Sequence, residues 1–405
     1  MGPCVKKDSM KSSAPLPREA FRASGKNIYL DHNATTPVAS FVREAVVSDL
    51  HAWGNAGSIH ADGRHPKSLL RESRKQVAEL IGAHPLELVF TSGGSEANNT
   101  ALKGFRNGDR KTVLTSAVEH PSVIRTLKYL EEQGIYKIIQ IPVNRDGFMD
   151  MDFYQRHLDE RVALVSIMYA NNETGNIFPI KEMVSMAHEV GAQFHCDGVQ
   201  SLGKSLVDVK DLGVDYMSFS AHKFYALKGV GALYIKKGRH LDPLIHGGAQ
   251  ERKRRAGTEN TLAIASFGRM AERKDEIEAY AKEVENLRDY MESRILKEID
   301  GVSITGKEAP RIGASSSLVL EGVDGETLLM NLDVKGFSVS TGAACSSGNP
   351  EPSPVLLAMG LSRQEAQSSL RLSLGWGTSQ EDIDLFVTTL KEVVMHVRKI
   401  ARGEI

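Results

Sequence analysis

From about residue 65 to residue 270, short apolar runs alternate with stretches of helical periodicity, and that alternation restricts what the chain can fold into. Residues 86–91, 112–116, 138–142, 163–168, 193–197, 216–220 and 231–235 read as strands. Residues 95–105, 122–133 and 180–190 read as helices among them. A strand reached through a helix re-enters the sheet parallel to its predecessor. The pattern therefore predicts an α/β fold, a mostly parallel sheet flanked by helices on both faces. Ligands in such sheets sit beyond the carboxyl ends of the strands. The chemically distinctive residues fall at those ends: Ser92-Gly-Gly-Ser95, Glu119-His120, Asn171-Asn172, Asp197 and His222-Lys223.

A chain of 405 residues exceeds one simple core. Residues 41–270 are expected to form the large domain and 271–405 a smaller α+β domain, with 259–298 as one long helix at the junction. Residues 27–40 are expected to pack with the small domain, and the polar, basic residues 1–26 to be a disordered extension. That extension has no apolar core of a secretory signal; an organelle transit peptide is the other reading. The net charge of -1 provides no global field for nucleic acid or an anionic membrane, although Arg252-Lys-Arg-Arg255 is a local basic patch. No apolar run approaches the ~18 residues of a membrane span. The three cysteines, Cys4, Cys196 and Cys345, are too far apart for a disulfide framework or a Cys-x-x-Cys metal pair. The 13 histidines include no His-Glu-x-x-His pattern. A cytoplasmic protein without a metal site is expected.

Lys223 lies just past a strand, where a lysine can be held rigidly and kept partly out of water, as an amine that captures an aldehyde must be. By itself it could be a surface lysine. Asp197 ends the strand 193–197, and a carboxylate there can keep a pyridine nitrogen protonated, or merely cap a helix. Gln200, three residues on, can reach the same ring's phenolic oxygen. Gly94 and Ser95 open the helix 95–105, where glycine lets backbone N–H groups approach an anion. Ser220, His222 and Thr258 add side-chain donors. His120 can stack on a flat ring and pass protons, or cap the helix that follows. Arg371 stands on one face of a strand and could grip a carboxylate. The set supplies an aldehyde anchor, a partner for a ring nitrogen and phosphate donors, which is what a pyridoxal 5'-phosphate enzyme requires. Cys345 sits in a run without large apolar residues, which is expected to be mobile, and an exposed thiol there suggests use as a thiolate. Cys196, inside an apolar strand, reads as a packed, inert thiol.

These residues resemble a known family. From about Ile28 to Val397 the chain is similar to the cysteine desulfurases, in the fold-type I, class V branch of pyridoxal-phosphate enzymes. The matching segments are Tyr29-Leu-Asp-His-Asn-Ala-Thr-Thr-Pro37, Phe90-Thr-Ser-Gly-Gly-Ser-Glu96, Asn171-Asn-Glu-Thr-Gly175, Asp197-Gly-Val-Gln200, Ser218-Phe-Ser-Ala-His-Lys223, Gly247-Gly-Ala-Gln-Glu251, Arg255-Ala-Gly-Thr258, and Cys345 through Arg371-Leu-Ser-Leu-Gly375. The resemblance implies that Lys223 anchors the cofactor and shuttles substrate protons, that Asp197 pairs with the ring nitrogen and that His120 stacks on the ring. It implies Gln200 and Asn172 beside the phenolic oxygen, with Asn172 also near the substrate carboxylate. Ser95, Ser220 and His222 would hold the phosphate. Thr258 would reach the phosphate of the opposite subunit, which makes a homodimer the expected state. Arg371 would bind the L-cysteine carboxylate. Cys345 would take the sulfur as a persulfide, release alanine and pass the sulfur to an acceptor protein, such as an iron–sulfur scaffold or an RNA-thiolation enzyme. The long segment around Cys345 resembles the group I members.

The chain departs from the family at Ala226-Leu-Lys-Gly229, where Gly-Pro-Lys-Gly is usual and a less rigid loop is expected. Gly313-Ala-Ser315 stands where Pro-Asn is common, and Trp376 where arginine is frequent. The longer carboxyl tail that many iron–sulfur members use to dock a scaffold does not follow Ile405, so docking of that kind is not expected. Two other readings remain open. One is a selenocysteine lyase or a related β-lyase or aminotransferase. The other is a pyridoxal-phosphate fold kept for binding partners, which the intact Lys223, Asp197 and His120 argue against.

Overall fold

The computed structural model describes residues 16–23, 25, 27–342 and 351–404. The short strand β1 (Ile28–Tyr29) and the helices α1 (Ser40–Asp49) and α2 (Ala61–Leu80) come first. Then β2 (Leu88–Thr91), α3 (Gly94–Gly104), β3 (Thr112–Ser116), α4 (Pro121–Glu132), β4 (Lys137–Ile141), α5 (Met151–His157), β5 (Val162–Met168), α6 (Ile180–Glu189), β6 (Gln193–Asp197), α7 (Val209–Leu212), β7 (Tyr216–Ser220) and β8 (Gly231–Ile235) build the main sheet and its helices. The segments α8 (Gln250–Lys253), α9 (Thr261–Ala271) and α10 (Ile277–Glu298) lead out of it. They are followed by β9 (Val302–Ile304), β10 (Ser315–Leu320), α11 (Gly325–Val334), β11 (Phe337–Ser338), α12 (Pro354–Ala358), α13 (Arg363–Gln367), β12 (Ser369–Ser373) and α14 (Gln380–Ala401).

The main sheet has seven strands in the order β2-β8-β7-β6-β5-β3-β4, and only β8 runs against the others. The sheet is the mostly parallel one the sequence predicts, and its central strands β5, β6 and β7 are buried along their whole length. Strands covered on both faces carry apolar residues on both, and the polar side chains among them are bonded inside, His195 lying 2.8 Å from Ser166 Oγ and 3.0 Å from Ser218 Oγ. The edge strand β4 is exposed or half-buried at every position before the buried Ile141. Helices start where the sequence supplies caps. His120 accepts from Ser122 N ahead of Pro121 in α4, and Ser379 with Asp382 forms a capping box at α14.

Two smaller sheets lie downstream. β12, β10 and β9 form an antiparallel sheet, and β1 pairs in parallel with β11, Ile28 opposite Phe337. The amino-terminal segment is thus sewn to residues more than 300 positions away, and a further bridge joins Asp31 to Ser373.

Two expectations need correction. The helix expected over 259–298 is two helices, α9 and α10, separated by a 3-10 turn at Lys274–Glu276. α9 packs on α1 and α2 while α10 packs on α14, so the chain must change direction between partners; Arg273 and Glu276 pair at 2.8 Å across the bend. The extension expected to be disordered over 1–26 is ordered in part. Arg18–Phe21 form a 3-10 turn, and Phe21 is fully buried. Its ring stands edge-on to Trp376, Tyr225 and Tyr280 at centroid distances of 5.0, 5.2 and 5.4 Å. Trp376 in turn stacks on Tyr280 at 4.4 Å and donates its indole N–H to the Gly203 carbonyl at 2.9 Å. An apolar aromatic cluster occupies the place where the family often has a charge.

Candidate active site

Five of the six strands that run in the common direction deliver side chains to one end of the sheet. β2 leads into Gly94 and Ser95, β3 into His120, β5 into Asn172, β6 ends on Asp197, and β7 leads into His222 and Lys223. Arg371 arrives from β12 of the small sheet. All of these, with Gln200 and Ser220, line one cavity of about 380 Å³. Thr258 does not join them: it is exposed and lines a separate cleft with Ser92, Gly229 and Arg255. Cys345 and Cys4 lie outside the described residues. Cys196 is buried within β6, its thiol pushed well up by burial. Among the described residues no group of three or more His, Cys, Asp or Glu side chains is placed to hold a metal, and no helix is long and apolar enough to cross a membrane.

Lys223 Nζ donates to the carbonyls of Asn33 and Ala34, each at 2.6 Å. Burial, then the nearby Arg371 charge, brings the amine down to about 8, so a neutral nucleophile is accessible near physiological pH. Asp197 is buried and accepts twice, from Val199 N at 3.0 Å on one oxygen and from Asn98 Nδ2 at 2.7 Å on the other. The Asn98 amide also donates to Ser122 Oγ at 2.9 Å. That hydroxyl lies 2.8 Å from His120 Nδ1, which accepts from Ser122 N at 3.1 Å as well. Nδ1 is therefore the acceptor, and the neutral ring carries its proton on Nε2. Burial holds His120 below the usual imidazole value, against the pull of Asp197. His222 Nδ1 lies 3.1 Å from Thr35 Oγ1, and burial, followed by the cationic Lys223, lowers it to about 4.

Arg371 is fixed by Asp31, 2.8 Å from its terminal nitrogen, and its backbone exchanges hydrogen bonds of 2.7 and 3.2 Å with Ser340. Its Nε is buried without a partner, a donor held in reserve at the cavity wall.

Pyridoxal phosphate fits these residues. Gly93 provides no side-chain cap at the start of α3, so the first N–H groups of an eleven-residue helix are available to an anion. A Cβ on Gly94 would stand 2.5 Å from Val199 Cγ2, so glycine keeps the wall open there. Asn98 Oδ1 is also buried without a partner. The donors suit a phosphate, the Asp197 carboxylate a protonated ring nitrogen, and the Lys223 amine an aldehyde.

Sequence reasoning missed several residues around the cavity. Asn33 carries the carbonyl that receives Lys223, Ala34 the other, and Asp31 steadies Arg371; their signal was their place in Asp31-His-Asn-Ala34, polar residues following a strand. Asn98, one turn into α3, and Ser122, behind His120, support first-rank groups and carry no signal by themselves. Lys204 carries no signal either, and the buried Glu119 and Glu173 show in the sequence only as part of a strand end and of a matching segment. Glu119 accepts from Ser116 Oγ and Met168 N, and burial lifts it to about 8; burial lifts Glu173, bonded to Ser353 Oγ at 2.5 Å, to about 7.

Comparisons agree with this geometry. The family model for class-V aminotransferases matches residues 28–386. The chain is 42% identical over 381 residues to a protein named cysteine desulfurase IscS of Dictyoglomus turgidum, covering 93% of this chain and 96% of that one. Among solved structures it resembles a NifS-like protein with a TM-score of 0.85 at 34% identity, over 91% of this chain and 100% of the other. It also resembles SspA in complex with cysteine, with a TM-score of 0.75 at 30% identity, over 86% and 98%.

Proposed function

This chain belongs to the class-V aminotransferase family and, within it, to the cysteine desulfurases, and from that premise we propose how its residues divide the work and where the sulfur goes. The enzyme removes sulfur from L-cysteine, leaves L-alanine and uses pyridoxal phosphate. The observation that carries the assignment of roles is the convergence of Lys223, Asp197 and Arg371, from three different elements, on one cavity. Pyridoxal phosphate, when bound there, supplies a ring that takes up the electrons released as bonds to the substrate's carbons break.

Arg371 grips the substrate carboxylate with the donors that Asp31 leaves free, and Asn172 stands beside it. Lys223 Nζ takes the Cα proton and later returns one, a role suited to an amine at about 8. Asp197 would keep the ring nitrogen protonated, and His120, its proton on Nε2, would lie against the ring. Gly94, Ser95, Ser220 and His222 would hold the phosphate, and Gln200 would meet the phenolic oxygen. The Cys345 thiolate attacks the substrate Sγ. The Cβ–Sγ bond breaks, an S–S bond forms, and the products are alanine and a Cys345 persulfide, so that every atom of cysteine and the thiol is accounted for. Cys345 stands five positions along the chain from Ser340, whose backbone is bonded to Arg371.

The persulfide passes to a sulfur-acceptor protein, of the iron–sulfur scaffold or RNA-thiolation type. The protein acts as a homodimer, a reading supported by the position of Thr258: exposed, and away from the cavity of its own chain. It works in the cytoplasm, where a reducing environment keeps the Cys345 thiol available. The test is turnover of L-cysteine by the loaded enzyme, measuring alanine and protein-bound sulfur, with Cys345→Ala alongside. Wild type is expected to form both, and the variant neither. Alanine formed equally by the two proteins would move the assignment to a lyase that needs no protein thiol.

A further inference from the structure

Lys204 shares the interior with Lys223, four positions beyond Gln200. Its Nζ donates to Asn33 Oδ1 at 2.8 Å and to Gln200 Oε1. Gln200 Nε2 donates to the Asn33 backbone carbonyl at 3.0 Å, the same oxygen that receives Lys223 Nζ at 2.6 Å. Asn33 is itself fixed on three further sides: its side-chain amide donates to the Asn172 carbonyl at 3.1 Å and to Ser315 Oγ at 2.7 Å, and its backbone N–H to Ser373 Oγ at 2.8 Å. Lys204, Gln200 and Asn33 form a closed ring of donors and acceptors at the wall of the cavity, and Lys223 joins it at the Asn33 carbonyl.

A lysine in this position is expensive. Burial, then the positive charges of Lys223 and Arg371, hold its amine well below its ordinary value, and no carboxylate among the described residues makes an ion pair with it. An apolar side chain of the same length would fill the space at lower cost. What only an amine provides is two N–H donors for two amide oxygens, in either protonation state. The two ends of a glutamine amide have nearly the same shape. Without a donor at Oε1, the Gln200 amide is free to turn over and present oxygen to the cavity.

We infer that Lys204 is a positioning residue for the reaction. By holding Gln200 Oε1 and Asn33 Oδ1 it keeps the Gln200 NH2 group directed at the Asn33 carbonyl and into the cavity, and keeps that carbonyl in place for Lys223. The inference rests on the reading of this cavity as the pyridoxal-phosphate site. There the remaining Gln200 N–H faces an acceptor, the phenolic oxygen, and favours its ionised form. Lys204 thereby acts on the cofactor through an amide, without touching it.

The experiment is a pH titration of the visible absorption band that pyridoxal phosphate acquires on binding Lys223, in wild type, Lys204→Met, Gln200→Ala and the double variant. Removing Lys204 is expected to move the midpoint by roughly half a pH unit or more. The double variant is expected to titrate like Gln200→Ala alone, because Lys204 acts through that amide. An unchanged midpoint in Lys204→Met, or shifts that simply add in the double variant, would overturn the inference. If Lys204→Met does not fold, Lys204→Gln, which keeps a donating amide, is measured in its place; it is expected to keep the wild-type midpoint, and a shift as large as that of Gln200→Ala would overturn the inference. A wild-type protein with no visible band would instead remove the cofactor reading itself, so the two failures are told apart.

Discussion

At the level of single residues the site is a set of short contacts that leaves a few donors and acceptors unused, and the pair Asp31–Arg371 shows what such contacts do. Asp31 takes one terminal nitrogen of the guanidinium at 2.8 Å and leaves Nε unpartnered, so the group is oriented without being used up. Asp31→Asn is expected to raise the KM for L-cysteine roughly five-fold, the equivalent of about 1 kcal/mol, while kcat stays within about two-fold. Steady-state kinetics decide it, and an unchanged KM would show that Arg371 is oriented without Asp31. The cavity residues to which the proposal gives the main roles, Lys223, Asp197, His120 and Arg371, were legible in the sequence because their types are chemically distinctive and they fall in or at the ends of strands. Their supports were not. Asn33, Ser122 and Lys204 acquire their roles only when distant segments meet, and an asparagine or a lysine in a polar stretch gives no sign of which neighbour the fold will bring to it.

Among the elements, the one under strain is α8. Glu251, Arg252 and Lys253 have φ of 44, 58 and 65°, three consecutive residues with side chains in the left-handed region. Each such residue costs about 1 kcal/mol relative to the right-handed form. The segment is held by Glu251, which is buried, pairs with Arg74 and accepts from Phe90 N at 3.0 Å, tying the loop to β2. Lys253→Gly is expected to stabilise the protein by about 1 kcal/mol, since glycine adopts that conformation freely and the Lys253 side chain is exposed. Thermal melting checks it; a lower melting temperature would mean that the lysine side chain contributes more than the backbone loses. The strands were readable as short, largely β-branched, aromatic or aliphatic runs set between helical stretches and turns, and β3, β6, β7 and β8 have the expected bounds. The break between α9 and α10 was not, because helical periodicity continues across it and only the change of packing partner bends the chain. In the loop after Lys223, Leu227 stands where the family has proline, and its N–H donates to Ser266 Oγ at 3.1 Å, a bond proline could not make.

For the molecule as a whole, buried titratable groups set opposing responses to pH. His32 and His222 are lowered to about 4 and His195 to about 3, mainly by burial, from an ordinary 6.5. Unfolding lets them take up protons, so they cost stability as pH falls below about 6.5. Glu119 and Glu173 keep their protons up to about 8 and about 7, whereas the ordinary value is 4.5, so they cost stability as pH rises from about 4.5 through those values. Between about 4.5 and 6.5 the two sets oppose each other, and above 6.5 the histidines drop out while Lys204 and Lys223, their amines lowered chiefly by burial, oppose the carboxyl groups by adding stability as pH rises. Glu119→Gln, which keeps the acceptor for Ser116 and Met168, removes one of the two carboxyl groups, so the melting temperature of the cofactor-free protein between pH 6.5 and 8 is expected to fall less, or rise more, in the variant than in wild type. An equal slope in the variant would place the effect elsewhere. The contact between Asp31 and Arg371 spans 340 positions of chain, and β1 must wait for β11. During synthesis the first wall of the cavity leaves the ribosome near the beginning and the last near the end, so an unfinished chain presents Lys223 without the arginine opposite it. With the roles proposed for Arg371 and Lys223, substrate recognition is absent from the nascent protein until almost all of it has been made, and a truncated translation product carries the amine with nothing to select what it meets.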